Sequence, residues 1–94
     1  MKNVCAIHLL VHGRVQGVGF RFSTQQLAME HHIKGWVKNT MDGTVEIAAE
    51  GEKTNVDNFI KALQTSPNLF ARVDQIDVAP IDHLQGFRSF QVKY

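Results

Sequence analysis

Several features that would classify a small protein quickly are scarce in this 94-residue sequence. It has one cysteine, Cys5, so no disulfide can form within the chain, and the framework of a small secreted domain is excluded. The net charge is only +1, and the lysines and arginines are scattered rather than gathered into the basic stripe of a nucleic-acid binder. The apolar stretch at residues 4–11 is far shorter than the roughly 18 residues of a membrane span, and no signal-peptide cleavage site follows it. These absences favour a cytoplasmic protein without a membrane or nucleic-acid partner.

The composition is that of an ordinary globular protein. Apolar residues make up 44% of the chain and charged residues 20%, which argues against intrinsic disorder. We predict one domain over residues 1–94, and a domain of this size buries only about two-thirds of the surface of its unfolded chain. A large internal cavity is therefore not expected, and any ligand site has to be made locally by a few groups.

Apolar periodicity divides the chain into five strands and two helices. Alternation with period two predicts strands at residues 4–12, 35–40, 44–50, 73–78 and 87–93. A period near 3.6 predicts helices from Phe20 to about Ile33 and from an N-cap at Thr54 to Leu63. Asp42-Gly43 predicts a hairpin turn between the second and third strands.

The order of these elements predicts an α+β, ferredoxin-like βαββαβ sandwich. Such a fold has an antiparallel sheet with two helices on one face, and here a short extra strand follows at the C-terminus. Antiparallel pairing of the first and third strands is expected to bring Cys5 against Ala49, so that Ala49→Cys would create a disulfide partner. The fold hosts many unrelated functions and decides none of them.

The most informative segment is the loop at residues 13–21, between the first strand and the first helix. Gly17 and Gly19 let the backbone bend until successive N–H groups face one point, and the helix start adds unpaired N–H groups and partial positive charge. Arg21 reaches the same point with a planar fork of donors that matches phosphate oxygens. Such a loop alone is a plain turn about as often as an anion site. It is neither a P-loop nor a dinucleotide fingerprint.

Two segments resemble the signatures of the acylphosphatase family. They are GRVQGVGFR at residues 13–21, and GWVKN at residues 35–39 followed by DGTVE at residues 42–46. The likeness extends over essentially the whole chain, with departures at Phe22, where tyrosine is common, and at Ser66, where glycine is more usual. The resemblance implies a stand-alone, monomeric, cofactor-free hydrolase that converts acyl phosphates to a carboxylate and inorganic phosphate.

The resemblance also implies roles for individual residues. Arg21 binds the phosphate oxygens, Asn39 positions the attacking water, and phosphate or sulfate competes for the same place. The backbone that cradles the phosphate is that of Arg14, Val15, Gln16, Gly17, Val18, Gly19 and Phe20. The chemistry agrees, because a carboxylate leaves without protonation and an amide can both accept from water and donate to phosphate. Without the resemblance, Asn39 is more simply a residue that precedes a turn.

Other functions have weaker support in the sequence. His8 and His12 share a strand face but lie about 13 Å apart, so no metal site is predicted. Cys5 has no histidine partner and is expected to be a packed thiol. An RNA-recognition domain has the same element order, and residues 18–22 superficially resemble its glycine–aromatic motif. That motif belongs on a strand, whereas residues 18–22 lie at a junction of loop and helix. An inactive module of a larger carbamoyl-transfer protein is disfavoured by the presence of both Arg21 and Asn39.

Overall fold

A computed structural model describes residues 3–65 and 67–94, and its elements follow the predicted order. Ser66, one of the two departures from the family pattern, lies outside the described residues. The elements are β1 (Val4–Arg14), α1 (Phe20–Glu30), β2 (Lys34–Asn39), β3 (Val45–Glu52), α2 (Lys53–Gln64), β4 (Arg72–Ile81) and β5 (Phe90–Lys93). The predicted α+β, βαββαβ fold with a short extra C-terminal strand is confirmed.

The five strands form one sheet in the order β4-β1-β3-β2-β5. The first four strands are antiparallel to their neighbours, as predicted. The extra strand β5 instead pairs in parallel with β2, which makes the whole sheet mixed. This pairing places the C-terminal residues beside β2, the strand that ends at Asn39.

The core lies between the helices and one face of the sheet. The odd-numbered positions of β1 and β3 supply this face, because side chains alternate along a strand. In α2 the apolar stripe of Val56, Phe59 and Leu63 is fully buried, and α1 contributes Phe20, Thr24 and Ala28. The opposite sheet face carries polar residues such as His8 and Glu46.

Both helices differ in detail from the prediction. The N-cap prediction for Thr54 is wrong: α2 begins at Lys53, and Glu52 occupies the N-cap without a capping side-chain hydrogen bond. The cause is that β3 runs into α2 without an intervening loop, and the Lys53 N–H donates to the Asn3 carbonyl at 2.7 Å. Helix α1 ends at Glu30, before Ile33, because His32 adopts a φ of 58° and turns the chain.

The register of β1 and β3 also differs from the expectation. Cys5 lies opposite Gly51, and Ala49 lies opposite Ile7. Strand parity placed Cys5 and Ala49 on the same face correctly, but a two-residue difference in register leaves them diagonal to each other. The proposed Ala49→Cys disulfide is therefore wrong, because a disulfide requires its two Cβ atoms at about 3.5–4.5 Å.

A buried carboxylate holds the connection between β4 and β5. Glu50 is only 7% exposed although it lies on the sheet face away from the helices. Its carboxylate accepts hydrogen bonds from the backbone N–H groups of Gln85 and Gly86, the latter at 3.2 Å. This connection spans the sheet from one edge to the other, so Glu50 helps to fix where β5 begins.

Candidate active site

An open pocket of about 550 Å³ lies where α1 begins, beside Asn39 at the end of β2 and the last residues of the chain. Of the described residues that line it, Arg21 alone has a charged side chain. The lining residues are Val15, Gly17, Gly19, Phe20, Arg21, Phe22, Gln25, Asn39, Gln91, Val92 and Tyr94. The pocket thus brings together the glycine loop, Arg21 and Asn39, which are distant in sequence.

The glycine loop turns by means of two left-handed residues. Gly17 and Gly19 have φ angles of 72° and 74°, a region that residues with a Cβ rarely adopt. Gly19 is the N-cap of α1 and has no side chain to cap the helix, and the first turn contains no acidic residue. The positive end of α1 and its unpaired N–H groups are therefore free to interact with an anion in the pocket.

The seven predicted cradle residues are not equivalent. Val15, Gly17, Gly19 and Phe20 line the pocket, whereas Arg14, Gln16 and Val18 do not. Arg14 is exposed at the end of β1, and Val18 is half-buried against the core.

The Gln16 side chain connects the loop to the hairpin beyond Asn39. Its Nε2 donates to the carbonyls of Thr40 and Thr44, both at 2.8 Å. One amide therefore ties the glycine loop to the hairpin that follows Asn39. This role was missed in the sequence, where nothing marks a contact over 24 and 28 residues.

Asn68 braces the other side of the loop. Its Nδ2 donates to the Val18 carbonyl at 3.1 Å and to the Ser23 hydroxyl at 3.0 Å. Its Oδ1 accepts from the backbone N–H groups of Phe70 and Ala71, each at 2.9 Å. Because Asn68 joins the loop, the first turn of α1 and the segment before β4, it is a structural residue of the site that sequence reasoning did not find.

The hairpin after Asn39 is closed by the Asp42 carboxylate, and the turn prediction is confirmed. Asp42 accepts hydrogen bonds from the Thr40 hydroxyl, from the Thr44 hydroxyl at 2.7 Å and from the Thr44 N–H at 3.1 Å. These hydrogen bonds lower the pKa of Asp42 to about 2, and the bond from Thr40 contributes most. Gly43 completes the turn with a φ of 92°. The turn fixes the end of β2, where Asn39 stands.

Asn39 carries a polar atom without a partner. Its Oδ1 is buried and makes no hydrogen bond within the described protein. Asn39 shares strand parity with the buried Val37, so its side chain points to the helix side of the sheet and lines the pocket. A buried carbonyl oxygen without a partner costs free energy, and such an atom at a pocket wall is typical of a group that serves a ligand.

Arg21 is held from the C-terminal end of the chain. Its Nη1 donates to the Lys93 carbonyl at 3.0 Å, and its guanidinium carbon lies 4.7 Å from the centroid of the Tyr94 ring. One turn further along α1, Gln25 Nε2 donates to the Phe90 carbonyl at 3.1 Å. Helix α1 is thus attached to β5 on both sides of Phe22, a contact that the sequence did not reveal.

Two of the histidines predicted to lie at the surface, His8 and His12, are hydrogen-bonded to carboxylates. His8 Nε2 lies 2.6 Å from Glu46, and His12 Nε2 lies 2.7 Å from Asp77. The hydrogen bond with His8 is the main cause of the lowered pKa of Glu46. In the described part of the chain no three metal-ligating side chains come together.

Cys5, predicted to be a packed thiol, does not line the pocket. Burial raises the pKa of the half-buried Cys5 thiol, which disfavours a reactive thiolate.

Over residues 3–65 and 67–94, no helix is long and apolar enough to cross a membrane.

Comparison with known proteins gives full-length matches. A family model described as Acylphosphatase matches residues 7–92. A curated acylphosphatase of Oceanobacillus iheyensis is 47% identical over 88 residues, which cover 94% of this chain and 97% of the relative. The crystal structure of acylphosphatase from Bacillus subtilis matches with a TM-score of 0.91 and 38% identity, covering 97% of this chain and 99% of that one. A structure of full-length HypF matches with a TM-score of 0.88 and 25% identity, but over only 12% of its length.

Proposed function

The chain belongs to the acylphosphatase family, and from that premise we propose how its pocket hydrolyses an acyl phosphate to a carboxylate and inorganic phosphate. The observation that carries the proposal is the unpartnered, buried Asn39 Oδ1 in the same pocket as Arg21 and the Gly17–Gly19 turn. The pocket therefore offers a water acceptor, a bidentate cation and backbone donors together. The proposed mechanism uses all three.

In this mechanism the phosphate binds between the glycine loop and Arg21. Backbone N–H groups of the loop and of the start of α1, together with the Arg21 guanidinium, donate to its three terminal oxygens. The C-terminal contacts of Arg21 keep its side chain in place before substrate arrives, so little conformational entropy is lost on binding. The same donors neutralise the charge that spreads over the equatorial oxygens in a loose transition state.

Asn39 Oδ1 accepts a hydrogen from the attacking water and so aligns its oxygen with phosphorus. The new P–O bond forms as the bond between phosphorus and the acyl oxygen breaks, the carboxylate leaves with the electron pair, and the proton of the attacking water passes to a phosphate oxygen. This leaving group is stable at neutral pH and needs no general acid, in keeping with a pocket whose described lining contains no carboxyl side chain.

Three further features are part of the proposal. Inorganic phosphate or sulfate occupies the same cradle and inhibits competitively. The protein acts as a monomer with a single acylphosphatase-like domain over residues 1–94, and the glycine loop, Arg21 and Asn39 line one pocket of that domain. The scarcity of cysteine supports a cytoplasmic location.

The proposal is tested by measuring phosphate release from benzoyl phosphate, acetyl phosphate and para-nitrophenyl phosphate. We expect turnover of acyl phosphates and little action on the ester, because the described lining holds no carboxyl or imidazole side chain to protonate a poor leaving group. Comparable kcat/KM for esters and acyl phosphates would contradict the mechanism. A purely noncompetitive effect of phosphate would place the anion site elsewhere.

A further inference from the structure

The pocket extends beyond what a phosphate group needs. At about 550 Å³ the open pocket is larger than a phosphate group. Beside Arg21 the lining is apolar: Phe22 on α1, Val92 on β5 and Tyr94 after it. Phe22 is 62% exposed and Tyr94 fully exposed, so these rings present accessible apolar surface at the pocket.

The attachment of α1 to β5 explains why these three side chains share one pocket. Arg21 binds the Lys93 carbonyl, and Gln25 binds the Phe90 carbonyl, so Phe22 lies between two points of contact with the strand that carries Val92. The position of the apolar surface is thus fixed by the same contacts that hold the phosphate-binding arginine.

The charges around the pocket restrict which acyl group fits there. The nearby lysines are directed elsewhere, because Lys93 Nζ lies 4.7 Å and Lys38 Nζ 5.3 Å from the centroid of the Trp36 ring, on the other face of the sheet. The guanidinium of Arg21 thus remains as the cation of the described pocket lining. In the described lining a second anionic group on a substrate finds no further basic side chain, whereas an uncharged apolar group meets Phe22, Val92 and Tyr94.

We propose that Phe22, Val92 and Tyr94 form an acyl-binding wall that selects acyl phosphates with an uncharged, aromatic-sized acyl group. The wall disfavours the small acetyl group, which reaches less of this surface, and acyl groups with a second carboxylate, which are left unpaired. This inference rests on the proposed function and adds the class of its substrate. Phe22 acts as a specificity-determining residue, because its side chain contacts the acyl group and not the phosphate.

The test compares Phe22→Ala with a matched control on the same helix. Met29→Ala also removes an exposed apolar side chain from α1, 67% exposed, but Met29 does not line this pocket. Each variant is assayed with benzoyl, acetyl and succinyl phosphate. Benzoylphosphonate and inorganic phosphate report binding by calorimetry without turnover. Phe22→Tyr retains the ring and is the conservative variant.

We expect the wild type to prefer benzoyl over acetyl phosphate by about tenfold or more in kcat/KM, with succinyl phosphate no better than acetyl. Phe22→Ala should lower kcat/KM for benzoyl phosphate by about tenfold and weaken benzoylphosphonate similarly. Acetyl phosphate turnover and phosphate binding should stay within about twofold. Phe22→Tyr and Met29→Ala should resemble the wild type.

Two results would contradict the proposed acyl-binding wall. One is an equal loss for benzoyl and acetyl phosphate in Phe22→Ala, which would mean that Phe22 supports Arg21. The other is an unchanged benzoyl preference in that variant. Both leave the proposed function intact, because the wild type still hydrolyses acyl phosphates. If the wild type hydrolysed neither acyl phosphate, the proposed function would fail, and the wall with it.

Discussion

Replacing Asn39 by alanine separates catalysis from binding and from folding. The Asn39 Oδ1 is buried without a hydrogen-bond partner, so its removal breaks no protein hydrogen bond at that atom and relieves a desolvation cost. The backbone pairing of Asn39 with Val45 does not depend on the side chain. We therefore expect the free energy of unfolding of Asn39→Ala to lie within about 1 kcal/mol of wild type.

The catalytic effect should be much larger. If Asn39 aligns the attacking water, its loss should lower kcat by about 100-fold or more, the usual cost of a misplaced reactant, or about 2.7 kcal/mol. The dissociation constant of inorganic phosphate should change by no more than a few-fold, because loop N–H groups and Arg21 remain. Asn39→Asp keeps the shape and an acceptor oxygen but adds a charge near the phosphate, and we expect it to weaken phosphate binding as well.

Arg21 provides the contrast for the same assays. Arg21→Ala removes the cation from the pocket and should cost about 2–5 kcal/mol in kcat/KM, roughly thirty- to several-thousand-fold, with a parallel loss of phosphate binding. The measurements are steady-state kinetics with benzoyl phosphate, calorimetry with phosphate, and urea denaturation. A folded Asn39→Ala with near-normal kcat would refute the water-positioning role. Loss of phosphate binding as severe as in Arg21→Ala would assign Asn39 to the cradle instead.

Two further predictions concern the supports of the pocket. The pKa of Asp42 is lowered to about 2, so its contribution to hairpin stability is fully present above about pH 4 and is lost as the pH falls towards 2. The difference in Tm between wild type and Asp42→Ala should accordingly shrink over that interval, and a constant difference would contradict the assignment. Glu50→Ala leaves the N–H groups of Gln85 and Gly86 without their acceptor and should lower the free energy of unfolding by about 1–3 kcal/mol, measured by urea denaturation. A change below about 0.5 kcal/mol would show that Glu50 does not hold the connection.

The parts of the fold that the sequence predicted depend on local chemistry. Alternating apolar residues predict a strand whatever its partner, and Asp42-Gly43 predicts a turn because glycine tolerates positive φ. Gly17 and Gly19 likewise marked a bend. Their φ angles show that conformation, and not lack of space, requires them, since a Cβ on Gly17 would meet nothing within 4 Å.

What was missed depends on contacts between distant residues. The register that places Cys5 against Gly51 is set by the packing of a whole sheet, and strand parity leaves it open by steps of two. The contacts of Gln16 with Thr40 and of Asn68 with Val18 are side-chain bonds to backbone carbonyls, for which almost any polar residue is a candidate in the sequence. The roles of Arg21 and Asn39 came from the family resemblance, and they remain predictions.

The attachment of Arg21 to β5 has a consequence for heat inactivation. Strand β5 has four residues, lies at the sheet edge and pairs on one side only, with β2. Edge segments of this kind detach by local unfolding at a lower free energy than the core requires. Detachment would release Lys93 and Tyr94 from Arg21 while β1, β3 and α2 stayed packed. The enzyme should then lose activity on warming some degrees below its melting temperature and regain it fully on cooling, because an inactive molecule of this kind has not left the native fold.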